Sequence, residues 1–172
     1  SDIVFDGTKN HHYIESDQVR PLNIYGQSKA MAEKYILEND SSALIIRTSA
    51  FFGPWDQYNF VTVVLNTVKN RLPFSAAADA FVSPTYVPDL VNTSLDLLID
   101  DENGVWHLAN KGELSWAGLA AEVADRGGCS SKLILPVPIH DLNYKALRPK
   151  YSALKSQRGY LLPPLEDALG RY

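Results

Sequence analysis

Tyr25 and Lys29, in the run Tyr25-Gly26-Gln27-Ser28-Lys29, stand four residues apart, a spacing that puts both side chains on one face of a helix. A free tyrosine titrates only near pH ~10 and is a poor proton donor at neutrality. A fixed cation beside it favours the phenolate. Tyr25 could then pass a proton to a carbonyl oxygen while a hydride reaches the carbonyl carbon, and Lys29 could also hydrogen-bond the ribose of a nicotinamide cofactor. The pentapeptide alone admits a structural reading as well, with Tyr25 packed at a helix start and Lys29 a solvated charge.

Other reactive residue types are present but poorly placed. Cys129, in a Gly-Gly-Cys-Ser-Ser turn, has no His or basic neighbour in sequence, so it is no candidate nucleophile. His11 and His12 are adjacent, with no third ligand at metal spacing, and no metal site is expected. His107 sits inside an apolar run and reads as a core or rim histidine, and Tyr86 and Trp106 read as core. Asp100-Asp101-Glu102 reads as a solvated turn, and Glu33 and Glu38 as exposed helix charges.

The elements that must position Tyr25 and Lys29 follow from periodicity. Ile3 to Phe5 reads as a strand end, and a helix is predicted over 23–39, where Ile36 and Leu37 add an apolar stripe. A strand follows over 43–47. Strand, helix and strand in this order make the crossover unit of a parallel sheet. Further helices are predicted over 59–69, with Phe60, Val63, Val64 and Val68 inward, and from Val87, with Leu90, Val91, Leu95, Leu98 and Ile99 inward. Strands at 105–109 and 133–137 flank a helix over 115–126, capped by Ser115 and stopped by Gly127-Gly128. Residues 142–172 are turn-rich, with a helix from Pro164 onward. The fold class is therefore α/β.

Composition narrows the function. Of 172 residues, 45% are hydrophobic and 21% charged, with a net charge of −4 and no basic run, so neither nucleic acid nor an anionic membrane surface is an expected partner. No apolar stretch is long enough to span a bilayer. A single cysteine suits a reducing compartment, and a cytoplasmic location is expected. The opening Ser1 to Gly7 reads as the end of a buried strand, which implies further sequence upstream.

The surroundings of Tyr25 carry a resemblance. Ser-Asp-Ile-Val-Phe-Asp-Gly at 1–7, a polar loop with Glu15 and Asp17, and Pro-Leu-Asn-Ile-Tyr-Gly-Gln-Ser-Lys at 21–29 resemble the extended short-chain dehydrogenase/reductases. Within them the sequence is most similar to the dTDP-4-dehydrorhamnose reductase family. Arg47-Thr48-Ser49, Asn59-Phe60, the 79–85 and 104–109 segments, Ser115-Trp116, and Arg-Pro-x-x-Ser-x-Leu at 148–154 extend the resemblance over essentially the whole chain.

The resemblance implies roles. Ser1, 24 residues before Tyr25, takes the place of the family's carbonyl-polarising Ser or Thr, so Ser1, Tyr25 and Lys29 are the catalytic candidates. Tyr25 and Lys29 are also the cofactor-binding candidates. Asp2, Ala50, Phe51, Ser83 and Arg148 are candidates for the sugar-nucleotide site. Asp2 could orient the site or cap its loop, and Arg148 could pair with a diphosphate or with a carboxylate. Two positions depart from the family pattern: Ala50 stands where a tryptophan is usual, and Ala80 where a glutamine is usual. Phe51, Phe52 and Trp55 could supply aromatic area instead. No GxxGxxG phosphate loop occurs in the sequence, and a dinucleotide diphosphate needs such a loop.

The implied architecture is the C-terminal part of a Rossmann-type parallel sheet over 1–54, with a small α/β substrate-binding lobe over 55–172. Some late segments could return to the sheet, and the N-terminal glycine-rich half is absent. The implied activity is NAD- or NADP-dependent reduction of a nucleotide-linked keto-deoxysugar by the intact protein, with the isolated chain inactive. The alternative is a noncatalytic sugar-nucleotide-binding or regulatory subunit of the same fold. Uncovered apolar faces on the Tyr25 helix and its strands imply self-association as a homodimer, or association with the missing N-terminal part.

Overall fold

The computed structural model describes residues 1–159 and 162–172; residues 160 and 161 of the turn-rich 142–172 stretch lie outside the described residues. Polar caps start the helices where the sequence places them. Asn23 accepts a hydrogen bond from the Gly26 N–H (2.8 Å) and opens α1 (Ile24–Asn39). Asn59 does the same for α2 (Phe60–Lys69) and Ser115 for α4 (Trp116–Arg126). Pro88 sits in the first turn of α3 (Val87–Ile99), where a missing N–H costs nothing. Gly128 follows α4 in the left-handed region (φ +70). The last helix is α5 (Leu165–Arg171).

The strands are β1 (Leu44–Arg47), β2 (Phe51–Phe52), β3 (Phe74–Ala77), β4 (Phe81–Val82), β5 (Thr85–Tyr86), β6 (Gly104–His107), β7 (Leu114–Ser115) and β8 (Ile134–Val137). Among the described residues β1 pairs with β6, β2 with β5 and β3 with β8, all parallel, while β4 and β7 are antiparallel. The fold is α/β with mostly parallel strands. Strands β2, β3, β4, β5 and β7 have no counterpart in the sequence reading. β2, β4, β5 and β7 are two residues long, too short for a repeating hydrophobic pattern, and β3 ends in Ser75-Ala76-Ala77, small residues with little strand preference.

One element differs in type. Asp2–Val4, read as a strand end, is a single 3-10 turn. The Ser1 hydroxyl accepts from the Ile3 N–H (3.3 Å), and the Asp2 N–H donates to the Thr48 carbonyl (3.1 Å). The expected strand–helix–strand crossover over 3–47 is therefore not formed among the described residues, and β1 takes β6 as its parallel partner, with Leu44 opposite Gly104 and Arg47 opposite His107.

The largest core joins Val61, Val64 and Val68 of α2, Leu119, Ala120 and Val123 of α4, and Ala168 and Leu169 of α5 with Phe52, Ala76 and Ile134 from the strands. On α2 the inward stripe is 61/64/68, and Val63 faces out. On α3, Leu97 is buried and Leu90 packs against Trp106 and Leu108, whereas Val91, Leu95, Leu98 and Ile99 are exposed. That helix is apolar on more than one face, so its composition could not select the inward one.

Candidate active site

The first turn of α1 and the Asp2–Val4 turn touch through Gly26. A Cβ at this position would lie 2.3 Å from the Ile3 carbonyl oxygen and 2.8 Å from the Pro21 side chain. Only glycine allows this approach. It brings the chain at Ser1 against the helix that carries Tyr25.

Ser1, Tyr25 and Lys29 line one open cleft of about 900 Å³, together with Asp2, Ala50, Phe51 and Arg148. The Tyr25 ring is half exposed, and the Lys29 ammonium stands 5.5 Å from its centroid, within the range of a cation–π contact. Ala50 has φ +44, a conformation a non-glycine residue seldom adopts without a local reason, and its carbonyl accepts from the Thr85 N–H (3.2 Å). The Arg148 guanidinium lies 4.9 Å from the Tyr144 ring centroid.

Asp2 is buried, and its carboxylate accepts from the Ser152 hydroxyl (2.7 Å). Burial raises its pKa, outweighing the Ser152 hydroxyl, which favours the charged form. Ser83 is placed elsewhere. It is fully buried, and its hydroxyl donates to the Leu154 carbonyl (3.3 Å) and accepts from the Leu154 N–H (3.1 Å), so it does not line the cleft and braces the 152–154 segment from inside.

Three residues of the cleft region carry roles the sequence reading did not assign. Asn23 caps α1 and also donates from Nδ2 to the Leu147 carbonyl (2.7 Å), so one side chain ties the helix start to the 145–148 cleft wall. The sequence reading placed Asn23 within the helix, so neither its cap role nor its long-range bond was assigned there. Glu33, expected to be a solvated charge, is 12% exposed and paired with Arg47. Arg47 Nε donates to both Glu33 oxygens (3.1 Å each) and Nη2 to one of them (2.8 Å). Glu38 on the same helix is exposed, 3.7 Å from Lys34.

His107 lies behind Arg47. Its Nε2 is 3.3 Å from Arg47 Nη1, its Nδ1 is 3.1 Å from the Tyr13 carbonyl, and its backbone N–H donates to Glu15 (2.9 Å). Burial lowers the His107 pKa to about 4, with the Glu15 carboxylate opposing and the Arg47 cation adding to the shift. Tyr86 and Trp106 are core side chains. Cys129 is outside the cleft, with its Sγ 3.6 Å from the Gly127 carbonyl. Among the described residues no group of three or more His, Cys, Asp or Glu side chains could hold a metal ion, and no helix is long and apolar enough to cross a membrane.

A mostly parallel α/β fold with a Ser/Tyr/Lys cleft at the junction of helix and sheet defines the extended short-chain dehydrogenase/reductase class. Residues 1–162 match the family described as the RmlD substrate binding domain, and the chain belongs to that family. It is 32% identical over 154 residues to the spore coat polysaccharide biosynthesis protein SpsK of Bacillus subtilis, covering 90% of this chain and 53% of that protein. It is 30% identical over 191 residues to a dTDP-4-dehydrorhamnose reductase of Burkholderia thailandensis, covering 99% of this chain and 64% of the relative. A crystal structure of dTDP-4-dehydrorhamnose reductase from Bacillus anthracis in complex with NADP superposes with a TM-score of 0.92 at 33% identity, covering 99% of this chain and 62% of that one. The chain thus spans between half and two thirds of the length of these relatives.

Proposed function

We propose that the complete protein reduces the keto group of a dTDP-activated 4-keto-6-deoxysugar with NADPH or NADH. The observation that carries this reading is the convergence of Ser1, Tyr25 and Lys29 on one cleft, with the Lys29 ammonium over the Tyr25 ring. A reduced nicotinamide, when bound, supplies the hydride. The Ser1 hydroxyl donates a hydrogen bond to the substrate carbonyl oxygen and polarises it. The Tyr25 phenol gives its proton to the same oxygen. The Lys29 ammonium stabilises the charge left on the phenolate oxygen, and its remaining N–H groups suit a ribose hydroxyl. The cofactor diphosphate has no cradle among these residues, since no GxxGxxG occurs. Arg148, at the cleft wall, suits the diphosphate of the sugar nucleotide. Asp2, Ala50 and Phe51 line the sugar end.

In this reading residues 1–54 form the C-terminal part of a Rossmann-type sheet, and the lobe over 55–172 closes the sugar site. The pairing of β6 with β1 supports a return of the late chain to the sheet. Ile24, Met31, Tyr35 and Ile36 are exposed on α1, and they support a covering by an N-terminal glycine-rich part or by a second copy of the chain.

A second reading, a noncatalytic sugar-nucleotide-binding subunit, draws on Ala50, a small residue on the cleft wall where the resemblance implies a tryptophan. Turnover separates the two. The complete polypeptide is expected to consume NADPH when given dTDP-4-dehydrorhamnose. Tight binding of the sugar nucleotide with no NADPH consumed would establish the second reading and remove the first.

A further inference from the structure

Glu33 follows Lys29 by four residues on α1, and both side chains line the cleft. On an isolated helix, a carboxylate at this spacing is a ready ion-pair partner for the ammonium. Here the carboxylate is taken by Arg47, which reaches it with three hydrogen bonds of 2.8 to 3.1 Å. Lys29 stands instead over the Tyr25 ring, 5.5 Å from its centroid. Among the described residues no carboxylate lies within ion-pair distance of Lys29.

We propose that Arg47 is a positioning residue for the Tyr25–Lys29 pair: by holding both oxygens of Glu33, it keeps that carboxylate from drawing the Lys29 ammonium off the phenol. Its consequence for turnover rests on the reductase reading. Its consequence for side-chain position rests on geometry alone.

Arg47 is built for exclusive capture. Its guanidinium is 5% exposed, lies 5.2 Å from the Phe5 ring centroid, and is held from behind by the Glu15 carbonyl (3.4 Å) and His107 (3.3 Å). Its planar fork matches both carboxylate oxygens, which a lysine ammonium cannot do. If Glu33 swung to Lys29, it would leave a buried cation unpaired, and an arrangement of that kind is strongly disfavoured. Beside the pair, Lys29 lies one turn back on the same helix, and His107, which feels the charges of both Arg47 and Glu15, lies behind Arg47.

The test follows Lys29 itself. In protein carrying 13C-labelled lysine, the Tyr25 ring current shifts the Lys29 ε-CH2 signal upfield. Arg47→Met and Arg47→Gln both remove the cation that holds Glu33, so each is expected to abolish that shift. Glu33→Gln, alone or combined with Arg47→Met, is expected to keep it. Arg47→Gln keeps a polar side chain at the buried position without the charge and covers the case in which Arg47→Met fails to fold. In the complete polypeptide, kcat should fall about tenfold or more in Arg47→Met, within the range a positioned proton donor contributes, and recover in the double variant.

An unchanged Lys29 signal in the folded Arg47 variants would overturn the proposal. So would a double variant as displaced as Arg47→Met, because loss of the guanidinium alone would then disorganise the site. Signals that move and return as expected while kcat stays constant would uphold the positioning and overturn the chemistry assigned to Tyr25.

Discussion

Helices α4 and α1 are held by different forces. In α4, Ala117, Leu119, Ala120, Val123 and Ala124 are buried, and the helix is a wall of the main core. In α1, sixteen residues long, only Gly26 is buried, while Ile24, Met31, Tyr35 and Ile36 are exposed. What fixes α1 is a short set of directional contacts: the Asn23 cap and tether, the Gly26 approach to Ile3, and the Glu33–Arg47 fork. Apolar burial is spread over many atoms and resists global unfolding. A few polar contacts orient a helix but leave its placement sensitive to each one. The region with the catalytic candidates is therefore the one in which single substitutions should alter geometry more than overall stability.

That contrast can be broken, beginning with its largest expected effect. Leu119→Ala empties a fully buried site in the lobe and should lower stability by about 2–5 kcal/mol, read from the urea midpoint, while the Lys29–Tyr25 contact persists. A smaller but distinctive effect belongs to His107. Its folded pKa of about 4 lies below the ordinary 6.5, so the unfolded chain binds the extra proton between those values. Stability should therefore fall as pH drops from 6.5 towards 4, by about 1 kcal/mol per pH unit, and level off for this group below that. Glu15, with its lowered pKa, adds acid sensitivity below 4.5. Asp2, raised by burial, acts in the opposite sense. His107→Gln should flatten the 4–6.5 slope, and an unchanged slope would contradict the assignment.

Gly26→Ala sharpens the comparison from the other side. The added methyl group meets the Ile3 carbonyl and should cost about 1–3 kcal/mol, with faster amide exchange across 1–4 and little change in α4. The mildest change is Asn23→Ala. It removes the cap and the bond to Leu147 and should cost about 1 kcal/mol, visible as loosening of the 145–148 segment. Equal loosening of the α2–α4 core in either variant would erase the distinction between the two regions.

The longer elements were legible because their signals are local. Ser115 caps its helix as its position implies, the helices expected from Asn23 and Asn59 begin one residue later with those residues as caps, and Tyr25 and Lys29, read as sharing one helix face, line one cleft. What was not legible depends on contacts distant in sequence. Glu33 meets a strand residue fourteen positions away, so nothing on its own helix distinguishes it from Glu38. Ser83 lies in a segment that resembles a ligand wall, yet its hydroxyl is spent on Leu154, 71 residues on. Leu95 and Leu98 carry the composition of a core helix but lie on the outer of its two apolar faces. The turn at Asp2–Val4 is fixed by Thr48, which no reading of residues 1–7 contains.

The phenol at Tyr25 is the group on which the reductase account turns. Single-turnover reduction of dTDP-4-dehydrorhamnose, measured in the complete polypeptide and in its Tyr25→Phe variant, isolates the proton transfer proposed for this group. The account predicts a hydride-transfer rate lowered by about a hundredfold or more in the variant, with substrate binding retained. Equal rates in the two proteins would contradict it.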